Sequence, residues 1–371
     1  CIKVFSAQKI KPESRGLSRI NIGGKIEAKA KTGIFRYELY KSFIINPALL
    51  ILLFVFILQI MSANGSDMRF ADIDGVYYEY YMDILKGPIS SDKTEYLNKE
   101  LSRVKEEQLV STDLNNTYNN QIKVLNNLIE KDMQLNKIFD EKGDNINKEK
   151  ISFVYELGYE RLLLTNSDIL LLSMITAILV ILCMVNIFVI EYRENTYNII
   201  NVTKYGRQRT FWYKIGIKIS MVIMIITITY VPYVIRIIKN YGLTCLDAPI
   251  ISMNRFSTLS INTSILEYII LVFLMKILGL IMAGILIAFL AVKLKSFIVT
   301  AVVSTFIIVI PSFLAYIGLD VFEKLGFNPF LLGNNLISSI NDIYPYALTT
   351  LQVCVTLFIL LYIDYNRINT K

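Results

Sequence analysis

Six apolar segments, each close to the length that a helix needs to cross a lipid bilayer, dominate this sequence of 371 residues. A helix needs about 20 apolar residues to span the hydrocarbon core. Lipid offers no partner to an unpaired amide, and the segments lack the apolar/polar alternation of barrel strands, so helices are expected. The sequence predicts an all-α polytopic membrane protein with six transmembrane helices, at residues 43–61, 169–190, 215–235, 268–292, 297–317 and 347–363.

The positions of Lys and Arg predict the orientation of these spans. Residues 1–41 hold ten basic and three acidic side chains, and residues 191–218 hold six and two, so both stretches should face the cytoplasm. Residues 63–167 hold 13 basic and 19 acidic side chains and should lie outside. The positive charge lies beside span ends, where anionic lipid head groups explain it better than nucleic acid does.

This topology divides the chain into five parts and places both of its termini in the cytoplasm. The chain begins at Cys1 without a Met, so we expect upstream sequence to be missing. The abundance of Ile, Lys and Asn indicates a bacterial plasma membrane. The parts are a basic N-terminal segment with an amphipathic lead-in (1–42), transmembrane helix 1 (43–61), an extracytoplasmic helical domain (62–168), transmembrane helices 2–6 with a cytoplasmic loop at 191–214 (169–363), and a cytoplasmic tail (364–371).

Several kinds of catalytic and metal chemistry are excluded. The chain has no His, which removes His triads and His metal sites, and its four Cys have no metal-ligand spacing. The stretch Gly23-Gly24-Lys25 lacks both the first glycine and the Ser/Thr of a phosphate loop. We expect no catalytic residue, metal or cofactor in this chain.

The long polar insertion between the first two spans predicts a helical hairpin. Apolar residues at three- and four-residue spacing indicate one face of a long helix. A polar turn at 141–147 follows, and a second amphipathic segment at 151–164 returns to the membrane. Either the hairpin contacts a substrate, a partner or a second copy, or it packs only on itself. The apolar face consists of Leu97, Leu101, Val104, Tyr118, Ile122, Leu125 and Ile129.

Lys276 is a charged residue within the fourth span, where an unpaired ammonium costs about 2.5–3.5 kcal/mol on insertion scales. It would either line a polar pathway between subunits or meet a neighbouring carbonyl. Gly279 in the same helix indicates close helix packing, within the chain or across a dimer. Pro232 and Pro311 are expected to kink or end the third and fifth spans.

The loop at 191–214, EYRENTYNIINVTKYGRQRTFWYK, is charged and aromatic between two apolar spans. Its spacing fits two alternatives. One is an amphipathic helix that lies along the membrane and would transmit a movement of a soluble partner to the spans. The other is an ordinary basic loop.

This loop resembles that of the permease subunits of ATP-binding-cassette transporters of the type-two exporter class. In these proteins an acidic residue ends the second span, and a Gly-Thr, a Thr, a Gly-Arg pair and a Lys follow. Asn195 replaces the glycine of the Gly-Thr pair. The six-span layout and the outer insertion extend the resemblance to residues 30–365. The matching positions are Glu191, Thr196, Thr203, Gly206, Arg207 and Lys214.

The resemblance implies an exporter subunit, working as a homodimer or as a heterodimer with a second permease in the lipid bilayer. ATP hydrolysis would occur in a separate ATPase subunit that docks on residues 191–209. The implied docking residues are Glu191, Arg193, Thr196, Thr203, Gly206, Arg207 and Lys214, with Glu38 and Lys41 of the lead-in helix alongside. The alternative is a membrane sensor or scaffold that binds a ligand through the insertion and does not transport.

Overall fold

The computed structural model describes residues 33, 35–45, 48–64, 73–110, 115–142, 151–193, 206–257, 263–333 and 340–366, which are mostly helical. A lead-in helix, Phe35–Ile44, comes first and closes in a π-helical turn. The helices that follow are α1 (Ala48–Ala63), α2 (Ile73–Leu85), α3 (Ser91–Val110), α4 (Asn115–Lys142), α5 (Glu156–Leu163), α6 (Ser167–Arg193), α7 (Gly206–Tyr241), α8 (Ile265–Leu294), α9 (Phe297–Tyr316), α10 (Asn328–Leu332) and α11 (Ile340–Asn366). Two short strands, β1 (Gly87–Pro88) and β2 (Ser152–Phe153), pair antiparallel.

Five helices in the described part of the chain are long and apolar enough to cross a membrane. They match the predicted second to sixth spans, of which only the fifth extends one residue past its helix. The predicted first span is interrupted, because the lead-in helix and α1 meet at a 53° bend. The two together make a sixth span only if the bent pair is counted as one. The all-α membrane class is therefore supported, and the sixth span stays a prediction.

Helix α6 lies at the centre of the apolar bundle, where it packs against α7, α8 and α9. The side chains of α6 are apolar on nearly all sides of the helix. Such a helix is stable only when other helices or lipid cover it. Its buried side chains extend from Ile169 to Glu191. Helices α9 and α11 keep large apolar faces exposed, including Ile298 and Phe306.

The insertion between α1 and α6 has its own apolar core, built from α2, α3, α4 and β2. Helix α5 instead packs its buried apolar side chains into the core of the bundle. We call residues 73–163 the insertion unit. The prediction of one long helix through residues 97–129 is wrong, because α3 and α4 are separate helices that pack on each other. The apolar spacing still identified core positions, since Leu97, Val104 and Leu125 are buried. Their apolar faces are covered by the neighbouring helix and by Ile151 and Phe153 of the returning segment.

A hydrogen-bonded group of polar residues joins three helices of the insertion unit. Tyr81 donates to Glu100 (3.2 Å) and accepts from Gln121 (2.5 Å), while Arg103 pairs with Glu100. The Arg103 guanidinium holds the pKa of Glu100 below its usual value. Burial raises the pKa of Tyr81 to about 12. At neutral pH Glu100 is therefore charged and Tyr81 protonated, which is the state that these hydrogen bonds require.

The insertion unit is fixed to the bundle by polar contacts as well as by chain connection. Lys131 of α4 pairs with Glu156 of α5 at 2.5 Å, and both side chains are buried. Glu156 also accepts from the backbone N–H of Asn254, in the loop between α7 and α8. Tyr159 donates to the carbonyl of Thr244 in the same loop. A movement of the unit therefore displaces the ends of α7 and α8.

The two prolines that were expected to kink or end spans lie inside helices. Pro232 is within α7, which continues to Tyr241, and Pro311 is within α9. The expectation that Pro232 ends its span is wrong. The neighbouring helices of the bundle hold α7 in place beyond the missing backbone donor.

Gly279 lets the short helix α10 approach α8 within the chain. A Cβ at this position would lie 2.6 Å from Phe330 Cβ and 3.1 Å from the Phe330 carbonyl carbon. Real Cβ atoms do not approach that closely, so α10 would have to move. The close packing predicted for this glycine is thus present within the chain.

We predict that Gly279→Ala destabilises the chain by about 1–3 kcal/mol, the usual cost of overpacking a filled interior. Gly216→Ala is the matched control, because a Cβ there meets nothing within 4 Å. That variant should be neutral or slightly stabilising, since Ala favours helix more than Gly does. Thermal unfolding in detergent measures both. Equal midpoints for the two variants would contradict the packing described here.

Candidate functional site

The buried ends of three helices bring charged residues together beside the loop that the sequence singled out. Glu38 comes from the lead-in helix, Glu191 from the last turn of α6, and Lys214 from the third turn of α7. We call these three residues the ion cluster. Their exposed fractions are 3%, 0% and 0%, so the cluster lies in the interior.

Lys214 is the centre of the ion cluster. Its ammonium lies 2.9 Å from Glu191 Oε1 and 3.6 Å from Glu38 Oε2. It also donates to the main-chain carbonyl of Ile187, one turn before Glu191. The ring of Phe188 lies 5.0 Å from the same ammonium. The ammonium of Lys214 thus bonds α7 to α6 and attracts the lead-in helix through Glu38.

The cluster carries two carboxylates and one ammonium in a site without exposed surface. Removing charges from water costs several kcal/mol per ion, and the cost is recovered only when the geometry pairs them well. Loss of Lys214 would leave two buried carboxylates next to each other. The arrangement is therefore stable only while the lead-in helix, α6 and α7 keep their present positions.

The predicted docking residues fall into three groups. Glu38, Lys41, Glu191 and Lys214 are buried within the chain. Arg193, at the end of α6, is exposed. Gly206 and Arg207 begin α7, although their side chains lie outside the described residues, as do Thr196, Thr203 and the predicted amphipathic helix.

Lys276, the candidate pathway residue, has a carbonyl partner. Its ammonium donates to the Leu331 carbonyl at 3.0 Å and lies 5.0 Å from the Tyr230 ring. Leu331 is next to last in α10, so the cation lies at the negative end of that helix. The interpretation that Lys276 meets a neighbouring carbonyl is confirmed, and its role in a pathway stays a prediction.

A polar groove lies where the insertion unit meets the loop between α7 and α8. Its volume is about 570 Å³. One wall is a face of α4 that includes Asn127, Glu130 and Gln134, and the other wall holds Asn254 and Ser257. Amide and hydroxyl groups both donate and accept, so the groove can hydrogen-bond a polar ligand.

Sequence reasoning missed the pairing of Lys131 with Glu156 and the buried Lys218. Nothing in the local pattern distinguishes Lys131 from the other lysines of α4. Lys218 could have been found from the sequence, because it lies inside the apolar run at 215–235. Lys276 was found because it lies inside the apolar run at 268–292. In the part of the chain that the structure describes, no group of three acidic or Cys side chains could hold a metal ion.

The fold and the ion cluster define a mostly helical, membrane-embedded protein whose span ends are joined by buried charges. Comparison with known proteins finds no matching protein family, curated protein or solved structure.

We predict that Lys214→Met destabilises the chain by about 3–5 kcal/mol, because it removes the ammonium that pairs with two buried carboxylates. Adding Glu191→Gln to that variant should restore part of the loss, since it removes one of those charges. The measurement is a double-mutant cycle on thermal unfolding in detergent, with an expected coupling of about 0.5–3 kcal/mol.

Lys293→Met is the control for this cycle. Lys293 pairs with Asp364 at 2.6 Å, but its side chain is 51% exposed. Exposed pairs contribute about 0–1 kcal/mol, so this variant should be nearly silent. If Lys214→Met costs no more than Lys293→Met, the ion cluster does not hold the three helices.

Proposed function

We propose that this chain is a membrane-spanning permease subunit of an ATP-binding-cassette transporter, acting in export and driven by a separate ATPase subunit. The observation that carries the proposal is the ion cluster. It joins the lead-in helix to the two helix ends that flank residues 194–205, the middle of the segment 191–209 on which an ATPase would dock.

The packing of the bundle supports this proposal, because a displacement of that segment would be transmitted to the apolar helices. A displacement at 194–205 moves the end of α6 or the start of α7. Helix α6 in turn packs against α7, α8 and α9. A partner that stabilises one of two packings of these helices would shift the bundle between them.

The burial of the cluster changes the roles assigned to its residues. Glu38, Lys41, Glu191 and Lys214 are interior side chains, so they would keep the docking segment in position rather than contact the ATPase. Direct contact falls to Arg193, which is exposed at the end of α6, and to the start of α7 at Arg207. Thr196 and Thr203 remain proposed contacts.

In this account the catalytic chemistry belongs to the partner chain. Two permease subunits, either identical or different, would form the path between them in a bacterial plasma membrane, with both ends of this chain on the cytoplasmic side. Exposed apolar faces on α9 and α11 provide surface for such an association or for lipid.

A second candidate function is a membrane sensor or scaffold without transport. The groove between α4 and the α7–α8 loop favours it, because a ligand there would contact both the insertion unit and the span ends. The buried pair of Lys131 and Glu156 lies next to that groove and would transmit a displacement. The two functions differ in whether an ATPase binds.

We predict that an ATPase co-purifies with the wild-type chain from native membranes in mild detergent. Replacing both Arg193 and Arg207 with Ala should lower the recovered ATPase activity by about tenfold or more, because both positions lie in the proposed docking segment. One charge-assisted contact contributes about 1.5–3 kcal/mol, which is consistent with that loss.

The ion cluster gives a second variant with a different expected result. The double variant Glu191→Gln/Lys214→Met removes a charge pair but leaves Arg193 and Arg207 unchanged. It should retain the bound ATPase while ATP hydrolysis no longer responds to the permease. Absence of ATPase in the wild-type eluate would refute the permease and favour the sensor.

A further inference from the structure

Lys218 is a second buried lysine of α7, one turn beyond Lys214. Its exposed fraction is 5%. The ammonium lies 4.3 Å from the centre of the Phe188 ring. Its hydrogen bond to the Gly284 carbonyl is long, at 3.4 Å. An ammonium has three protons to donate, so this cation is poorly satisfied by the chain itself.

A small cavity lies beside Lys218 between α7 and α8, with Met184 of α6 also in its lining. Its volume is about 20 Å³, enough for one oxygen-sized group. Ile215 and Ile219 form one wall on α7, and Ile281 and Ile285 form the other on α8. Because each pair is four residues apart, the two walls run along their helices as an apolar groove.

Exposed apolar side chains follow the cavity walls along both helices at three- and four-residue spacing. Ile219 is 39% exposed and Ile223 is 51% exposed on α7. On α8, Leu278 and Leu274 are 37% and 58% exposed. The two helices run antiparallel, so these residues extend the walls in one direction, away from the N-terminal end of α7. Apolar walls of this kind match a hydrocarbon chain.

The position of Lys218 matches the boundary between the hydrocarbon and the head groups. Side chains of a helix point toward its N-terminus, so the ammonium is directed back toward the start of α7. Trp212, Tyr213 and Arg209 lie there, the aromatic and basic residues that mark a membrane interface. The ammonium is therefore buried near the level at which the phosphates of one leaflet would lie.

We propose that this groove binds an anionic phospholipid, with one phosphate oxygen at Lys218 and an acyl chain along the isoleucines. Charge complementarity selects the occupant. A buried, poorly satisfied ammonium favours an anion, and basic pockets between transmembrane helices bind acidic head groups. The cavity holds the oxygen alone, so the phosphate itself lies at the mouth between Ile215 and Ile285.

The site lies next to the ion cluster. Lys214 and Lys218 contact the same ring, that of Phe188, at 5.0 and 4.3 Å. An anion at Lys218 would neutralise the second of two neighbouring buried cations. Occupancy would therefore stabilise the present packing of α6, α7 and α8.

The single tryptophan of the chain allows a direct test. Trp212 lies on α7, is 52% exposed, and shares a helix face with Ile219 seven residues on. The purified chain is reconstituted in phosphatidylcholine vesicles that contain increasing fractions of phosphatidylglycerol with brominated acyl chains. Quenching of Trp212 fluorescence, compared with brominated phosphatidylcholine, gives the relative affinity for the anionic lipid.

We expect a preference of about fivefold for phosphatidylglycerol in the wild type, the effect of one lysine near an anionic surface. Lys218→Met should reduce the preference to about the level of general attraction, near one. Because Met is unbranched and of similar length, this variant should fold. Lys293→Met is the matched control, since it removes one positive charge from an exposed position and should keep the preference.

Three results would overturn the proposal. They are no preference in the wild type, an unchanged preference in Lys218→Met, and an equal loss in Lys293→Met. The first result would indicate that another helix or a second copy of the chain covers the groove. The last result would show that the preference depends only on the net charge of the protein. The assay needs neither ATPase nor transport, so its outcome does not depend on the permease proposal.

Discussion

The cost of burying charge in an apolar helix bundle is the constraint on which the rest of this structure depends. An isolated ammonium in such an interior is strongly destabilising. Lys214 has carboxylates and a carbonyl, Lys276 has a carbonyl at the end of a helix, and Lys131 has Glu156. Each of these cations bonds two elements that are distant in sequence. The buried charges therefore determine which helices are joined to which.

The same constraint makes the bundle responsive at particular places. Apolar packing tolerates small shifts of one helix along another, whereas a buried ion pair is lost when its partners separate. The ion cluster lies at one end of α6, and the contacts of Glu156 and Tyr159 lie near the other end. A force or ligand at either end acts on a discrete set of polar contacts. Two arrangements of those contacts would be enough for a transport cycle or for a signal.

The sequence predicted the parts of this structure that depend on hydrophobic length and period. The five long apolar helices at the positions of the second to sixth predicted spans were expected, because apolar runs of that length have few other uses. The buried positions Leu97 and Leu125 followed from helical spacing. The break between α3 and α4 was missed, since the same spacing continues in the second helix. The interruption before α1 was missed because the apolar run continues across it.

The candidate site was predicted in part. Glu38, Glu191 and Lys214 were chosen as contacts for a partner, and the structure brings all three together, but in the interior. The spacing of residues along the sequence shows which side chains share a helix face. It does not show whether another helix covers that face. Long-range pairs such as Lys131 with Glu156, and the cavity beside Lys218, depend on how distant helices pack. Local patterns therefore could not predict them.

The central claim is that the ion cluster holds the lead-in helix against the start of α7. Phe35 and Tyr213 contact each other across this junction, with ring centroids 5.7 Å apart. The most direct measurement is therefore crosslinking of a Phe35→Cys/Tyr213→Cys pair in membranes with a short bifunctional maleimide, on a background without the native cysteines. The account predicts efficient crosslinking that falls several-fold when Lys214→Met is added. Crosslinking that is absent, or that is unchanged by Lys214→Met, would contradict it.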